Sequence, residues 1–167
     1  SGEELEITST GTTNYYEILR GFDFDFEEQK LRKYDQNIVE YQKQLNQQRE
    51  EKITLKYFQY LAVLFVERYL DRYFTNRETL LEEFSSFVED RNKEIETDSE
   101  KHFTPTDHDL DKLAFWMATG SGKTLILHIN LWQFDRYSTE EVDNIILITP
   151  NSGLTNQHIR KFGESGI

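Results

Sequence analysis

The sequence predicts an α/β chain: a helical N-terminal region, then the start (βαβ) of a domain built around a glycine-rich loop, incomplete within these residues. Three observations predict it. Apolar residues recur at helical spacing through residues 27–96. A polar stretch holding Pro105 then separates this region from the C-terminal third of the chain. Beyond it, two short apolar runs flank a Gly-Ser-Gly-Lys-Thr turn and a helix-like segment.

The expected units are a polar lead-in over 1–26, a helical region over 27–96, a linker over 97–112 and the first part of the loop domain over 113–167. Residues 1–21 are rich in Thr, Ser and Glu and read as irregular. "GFDFDF" (21–26) alternates apolar and acidic residues, as a short strand does. In 27–50, Leu31, Tyr34, Ile38, Tyr41 and Leu45 fall three and four apart, on one stripe of a helix. Residues 53–74 are far more apolar and predict the central buried helix, with Leu61, Val63, Leu64, Phe65 and Val66 inside. "TNRE" (75–78) has the form of a capping box. It opens a third helix over about 76–95, with Leu80, Leu81, Phe84, Phe87 and Val88 on its buried side. "LAFWM" (113–117) and "IILIT" (145–149) read as strands buried on both faces, with a helix over 123–134 between them.

Composition narrows the function classes. Hydrophobic residues make up 37% of the 167, with 12 Phe and 9 Tyr, enough to build a core. There is no cysteine, which excludes disulfides and thiolate zinc sites and permits a cytoplasmic location. No apolar run approaches the roughly 20 residues of a spanning helix, so no membrane role is expected. The net charge of −12, from 19 basic and 31 acidic residues, argues against nucleic-acid binding by bulk charge and leaves a local contact surface open.

The chemistry concentrates at residues 119–124. A glycine-rich turn that opens a helix wraps backbone N–H groups around an anion. Gly120 and Gly122 supply the backbone freedom such a loop needs. Thr119, Gly120, Ser121, Gly122, Lys123 and Thr124 are the candidate phosphate-binding residues. Lys123 is placed to set an ammonium between the β- and γ-phosphates of a nucleoside triphosphate, and the Thr124 hydroxyl to hold Mg²⁺. The full pattern G-x-x-x-x-G-K-[ST] is met at Gly122, Lys123 and Thr124, with Met117 at its first position.

"MATGSGKT" (117–124) resembles the first motif of superfamily 2 helicases and translocases. "ITPNSGLTNQ" (148–157) resembles their next motif, Pro-Thr-x-x-Leu-x-x-Gln, matched at Pro150, Leu154 and Gln157. Asn151 stands for the usual Thr, and Ser152 and Gly153 for the Arg-Glu of the RNA-unwinding branch. Over residues 113–162 the chain is similar to the DEAD/DEAH-like group that includes the motor subunits of type III and type I restriction enzymes. The resemblance implies a RecA-like P-loop domain, ATP and Mg²⁺ as ligands, and movement along nucleic acid, double-stranded DNA first, driven by hydrolysis. Lys123 becomes the catalytic candidate, and Thr149, Pro150, Asn151, Gly153 and Gln157 the residues that touch a phosphate backbone. Such a motor also needs an acidic pair on a later strand and an arginine finger from a second lobe. Neither is present after Gln157, so 1–167 is expected to be part of a longer product and not a complete ATP hydrolase.

Other features are weighed and set lower. Glu28-Gln29-Lys30, with Asp23 and Asp25 upstream, has a nuclease-like E-x-K form but reads better as solvated charge at a helix start. His102, Asp107, His108, Asp109 and Asp111 read as a polar linker before a metal site. Phe103 is a candidate for stacking on adenine, while Trp116 and Trp132 are expected in the core. A rival reading makes the helical region a docking module for other subunits, with Leu31, Tyr34, Ile38, Tyr41 and Leu45 as contact stripe and the loop as a nucleotide switch.

Overall fold

The computed structural model describes residues 4–22, 27–139 and 141–167. Six α-helices carry the described chain: α1 (Asn14–Leu19), α2 (Glu28–Leu45), α3 (Tyr57–Thr75), α4 (Arg77–Lys93), α5 (Lys123–Tyr137) and α6 (Ser152–Ser165).

The α2 stripe is where the fold begins. Leu31, Tyr34, Ile38, Tyr41 and Leu45 are all buried, packed with Tyr60, Val63 and Leu64 of α3 and Ile126 and Ile129 of α5. Each fully buried side chain of this size contributes about 1.5–3 kcal/mol by leaving water. The stripe therefore serves the core of this chain, and it is not the exposed surface that the docking-module reading requires.

Helix α3 is the central element, as its composition predicts, although Phe65 faces solvent. It carries acids into the interior. Glu67 is fully buried and accepts from Asn37 Nδ2 (2.8 Å), Tyr137 Oη (2.7 Å) and Gln133 Nε2 (3.0 Å). Asp35 of α2 is also fully buried, taking the Thr13 N–H (2.9 Å) and the Tyr60 hydroxyl (2.7 Å). Buried carboxylates persist only with such partners. These hydrogen bonds join α1, α2, α3 and α5 through one polar interior. The lead-in is thus less irregular than its composition suggests: Thr13 caps α1, and Tyr15, Tyr16 and Leu19 enter the core.

The cap of α4 is Asn76, whose Oδ1 accepts from Thr79 N (3.3 Å), one residue later than the Thr75–Glu78 box predicts. Only Leu80 of its apolar side is buried, and Phe84 and Phe87 are exposed. The linker is not a free tether. It holds two short 3-10 turns, Asp98–Glu100 and Asp107–Asp111. The second is clamped to α4 by Arg77, which reaches Asp107 and Asp111.

The α/β prediction fails here. Among the described residues there is no β-strand, only isolated antiparallel bridges at Glu4–Lys56 and Ile7–Thr13, so the class is all-α and no RecA-like βαβ start is seen. Residues 113–117 and 145–149 carry no regular structure. A strand is stable only with a neighbour that takes its N–H and C=O groups, and neither run has one among the described residues. Most of their side chains stay in solvent: Trp116 is fully exposed, and Ile146 and Ile148 are 82% and 89% exposed, while Met117 packs against the core. Trp116 is therefore not a core residue, whereas Trp132 is partly buried and stacks on Tyr41. Asp23, Phe24, Asp25 and Phe26, including the predicted short strand and the two acids of the E-x-K reading, lie outside the described residues.

Candidate functional site

The site grows from the first turn of α5. Apolar Ile126 and Ile129, one helical turn apart, seat α5 against the core. Its far end is tied down by Gln133, which donates to Val63 O (2.8 Å), and by the Gln133 and Tyr137 bonds to Glu67. The near end is thereby fixed where the loop meets the helix.

Gly122 caps α5 with φ 85° and ψ 31°, and Gly120 has φ 78°. Both lie in the left-handed region that a Cβ disfavours, which explains two glycines in so apolar a stretch. The Ser121 N–H closes a turn onto Ala118 O (3.2 Å), and the Gly122 carbonyl accepts from Leu125 (2.9 Å) and Ile126 (3.2 Å) to start the helix. Residues 118–124 thus form a loop that opens directly on a helix N-terminus, the backbone form of an anion nest. Lys123 folds back over it, its Nζ donating to Met117 O (3.0 Å) and Ala118 O (2.9 Å). Thr119 and Gly120 are exposed and Thr124 is half-buried in the first turn of the helix.

One partner of the loop had no signal in the sequence. Gln59, in the first turn of α3, is 7% exposed. Its Oε1 accepts the Lys56 N–H (2.9 Å) and its Nε2 donates to the Ser121 carbonyl (2.8 Å). A Cβ on Gly122 would come within 2.6 Å of that Nε2.

Beside the loop lies a cavity of about 310 Å³ whose walls include Arg49, Lys56, Gln59, Thr124, His128 and Lys161. Three cations from three stretches of chain converge there, in a protein of net charge −12. Two of them share an acid: Arg49 reaches Glu164 at 3.1 Å and Lys161 reaches it at 2.8 Å. His128 is 1% exposed, and its Nδ1 bonds the Ser165 hydroxyl at 2.7 Å. Burial, aided by the nearby Arg49 charge, lowers its pKa to about 4, so the imidazole is neutral at pH 7.

The second set of predicted residues gathers at the start of α6. Asn151 caps that helix, its Oδ1 accepting from Leu154 N (3.0 Å). The Thr149 hydroxyl donates to Asn151 O (3.1 Å). Pro150, Gly153 and Gln157 are exposed on the same end.

The family model for the type III restriction enzyme, res subunit, matches residues 23–166 and so spans the loop, the α5 helix that leaves it, α6 and the helical region before it. The chain belongs to that family. No curated protein and no solved structure matches it. In this res-family chain the match covers α2 to α6 as one stretch, so the helical region is as much a part of the family pattern as the glycine loop. Among the described residues, no hydrogen bond or ion pair ties the remaining sequence candidates to the loop. Phe103 is 95% exposed. Glu28 pairs with Arg20 (3.5 Å) and Lys30 with the buried Asp71 (3.7 Å). Among the described residues no His, Asp and Glu group is arranged to hold a metal ion.

Proposed function

We propose that the loop 118–124 binds the polyphosphate of ATP with Mg²⁺, as part of a motor of the restriction type that acts on double-stranded DNA. The observation that carries this reading is the pair of left-handed glycines leading into the α5 N-terminus, with the Lys123 ammonium lying over the loop. Family membership supports the restriction setting.

The residues fit the ligand. Backbone N–H groups of Gly122, Lys123 and Thr124 supply donors that cost no side-chain entropy, and the helix end adds partial positive charge. Lys123 is held by two neutral carbonyls, which a phosphate outcompetes as a partner for an ammonium. Thr124 would hold Mg²⁺ through its hydroxyl, and the ion would neutralise charge developing on the transferred phosphoryl group. At the start of α6, Thr149, Pro150, Asn151, Gly153 and Gln157 form a cap, exposed at all but Thr149, that meets a nucleic-acid phosphate through main-chain N–H groups, a contact that needs no bulk positive charge.

Titration of a fluorescent ATP analogue tests the reading. Wild-type chain binds in a Mg²⁺-dependent way, and Lys123→Ala binds at least tenfold more weakly with the same thermal unfolding. Equal affinity in the two proteins refutes it.

A further inference from the structure

The α6 helix carries the exposed cap at one end and is fastened at the other. Of its 14 residues only Ser165, in the last turn, is buried. From Asn151 to Arg160 every residue is exposed except Thr155 and His158, which are half-buried. A helix of this length spans about 20 Å, so a tilt of about 10° at Ser165 carries the cap by about 3–4 Å.

Two other parts of the chain hold Ser165. Arg49, just past α2, donates from Nη2 to the Ser165 hydroxyl oxygen (2.7 Å). A guanidinium only donates, so the hydroxyl accepts there and keeps its own proton for a second partner. His128 Nδ1 lies 2.7 Å away, and the neutral ring takes that proton. The relay therefore runs from the Arg49 N–H through the Ser165 O–H to His128 Nδ1. Arg49 is itself fixed, its Nε donating to Leu45 O (3.0 Å) and its Nη1 to Glu164 Oε2 (3.1 Å). The Phe162 ring packs on the His128 ring, with centroids 4.6 Å apart. Gly166 closes the helix at φ 76°, where a Cβ would meet Gln48 Nε2 at 3.0 Å. His128 stands in the second turn of α5, the helix whose first turn opens from the glycine loop. One hydroxyl thus joins the helix that leaves the loop, the helix that carries the cap and the end of α2.

We propose that Ser165 is a positioning residue that couples the two ends of the site: through His128 and Arg49 it passes the placement of α5 to α6, so that nucleotide on the loop and double-stranded DNA at the α6 cap change each other's affinity. The inference rests on the reading above, in which the loop takes ATP and the cap takes a nucleic-acid phosphate. A shift of α5 as a polyphosphate settles on its N-terminus reaches α6 at Ser165, and the length of α6 enlarges it at the cap. Such coupling is reciprocal, so each ligand alters the affinity of the other by the same factor.

The test uses this chain with two probes, the fluorescent ATP analogue with Mg²⁺ and a fluorophore-labelled DNA duplex. Each is titrated with and without a saturating amount of the other ligand, unlabelled. In wild type the two factors agree, at about fivefold or more. Ser165→Ala removes the hydroxyl: each ligand alone keeps its wild-type affinity, and the factor falls to one. Ser165→Thr keeps the hydroxyl and keeps the coupling. Arg49→Lys keeps the charge beside Glu164, cannot hold both partners, and lowers the factor. A role confined to packing lowers the unfolding temperature and leaves the factor as it is in wild type. Wild-type coupling in Ser165→Ala overturns the inference, and so does a wild type that binds both ligands without coupling, while the nucleotide reading stands in both cases. Global unfolding of both Ser165→Ala and Arg49→Lys overturns it too, since the contact then belongs to the core. Failure of wild type to bind either probe removes the reading above and this inference together.

Discussion

Gly122→Ala tests the geometry of the loop without any ligand. Two costs arise from the structure. The backbone sits at φ 85°, where an L-residue with a Cβ loses about 1–2 kcal/mol relative to glycine. The new methyl also comes within 2.6 Å of Gln59 Nε2, inside any tolerable contact. That atom ends a flexible side chain, so the amide moves aside and gives up its bond to the Ser121 carbonyl, at about 1 kcal/mol. Together the substitution costs about 2–3 kcal/mol. The two parts separate in a double-mutant cycle with Gln59→Ala, read by urea denaturation. With Gln59 already shortened, Gly122→Ala meets no clash and breaks no bond, so only the backbone part remains. The cycle should return a coupling of about 1 kcal/mol, well above the few tenths expected of independent sites. If Gly122→Ala costs the same in both backgrounds, Gln59 does not touch the loop, and the contact argued here is absent.

Two further outcomes concern the interior. Glu67→Ala strips Asn37, Gln133 and Tyr137 of a shared buried acceptor and should lower stability by about 3 kcal/mol or more in urea denaturation, whereas a loss under about 1 kcal/mol would show that water replaces the carboxylate. His128 titrates near 4 when folded and near 6.5 when unfolded. Between those values the unfolded chain holds a proton that the folded one lacks, so stability falls as pH drops through that window. Wild type should lose about 2 kcal/mol more than His128→Gln between pH 7 and pH 5, and parallel losses would show the imidazole to be solvated.

What the sequence revealed was local. The two glycines adopt the left-handed angles the loop required, because a turn into a helix leaves few other choices. The α2 stripe was legible because helical period alone decides which residues share a face, and all five are buried. What was not legible depends on distant partners. "LAFWM" and "IILIT" are apolar enough for strands, but a run of five residues does not say what will pair with it, and here nothing among the described residues does. Phe84 and Phe87 have the spacing of a core face, yet α4 lies at the margin of the bundle and leaves them exposed. Gln59 is one glutamine among many until α5 is laid beside α3, and no local pattern marks it out.

The loss of the expected strand changes how the loop is supported. In the α/β reading a sheet would anchor the residues before the turn. In this fold the two halves of the loop are held by different means. Residues 117 and 118 are held by Lys123, whose ammonium binds both carbonyls. Ser121 and Gly122 are held by Gln59 from α3, the helix that also fixes the far end of α5 through Glu67. A polyphosphate that draws Lys123 to itself therefore breaks its two bonds to the first half, while Ala118 O keeps the Ser121 N–H and the second half stays in place. Those two bonds, each worth about 0.5–1.5 kcal/mol net, are subtracted from the affinity that the nest and the helix end provide. The half that runs into the helix N-terminus is the half whose support does not depend on the ligand, and that support comes from the helical region. The bundle and the loop therefore act as one unit, with α3 as the element that connects them.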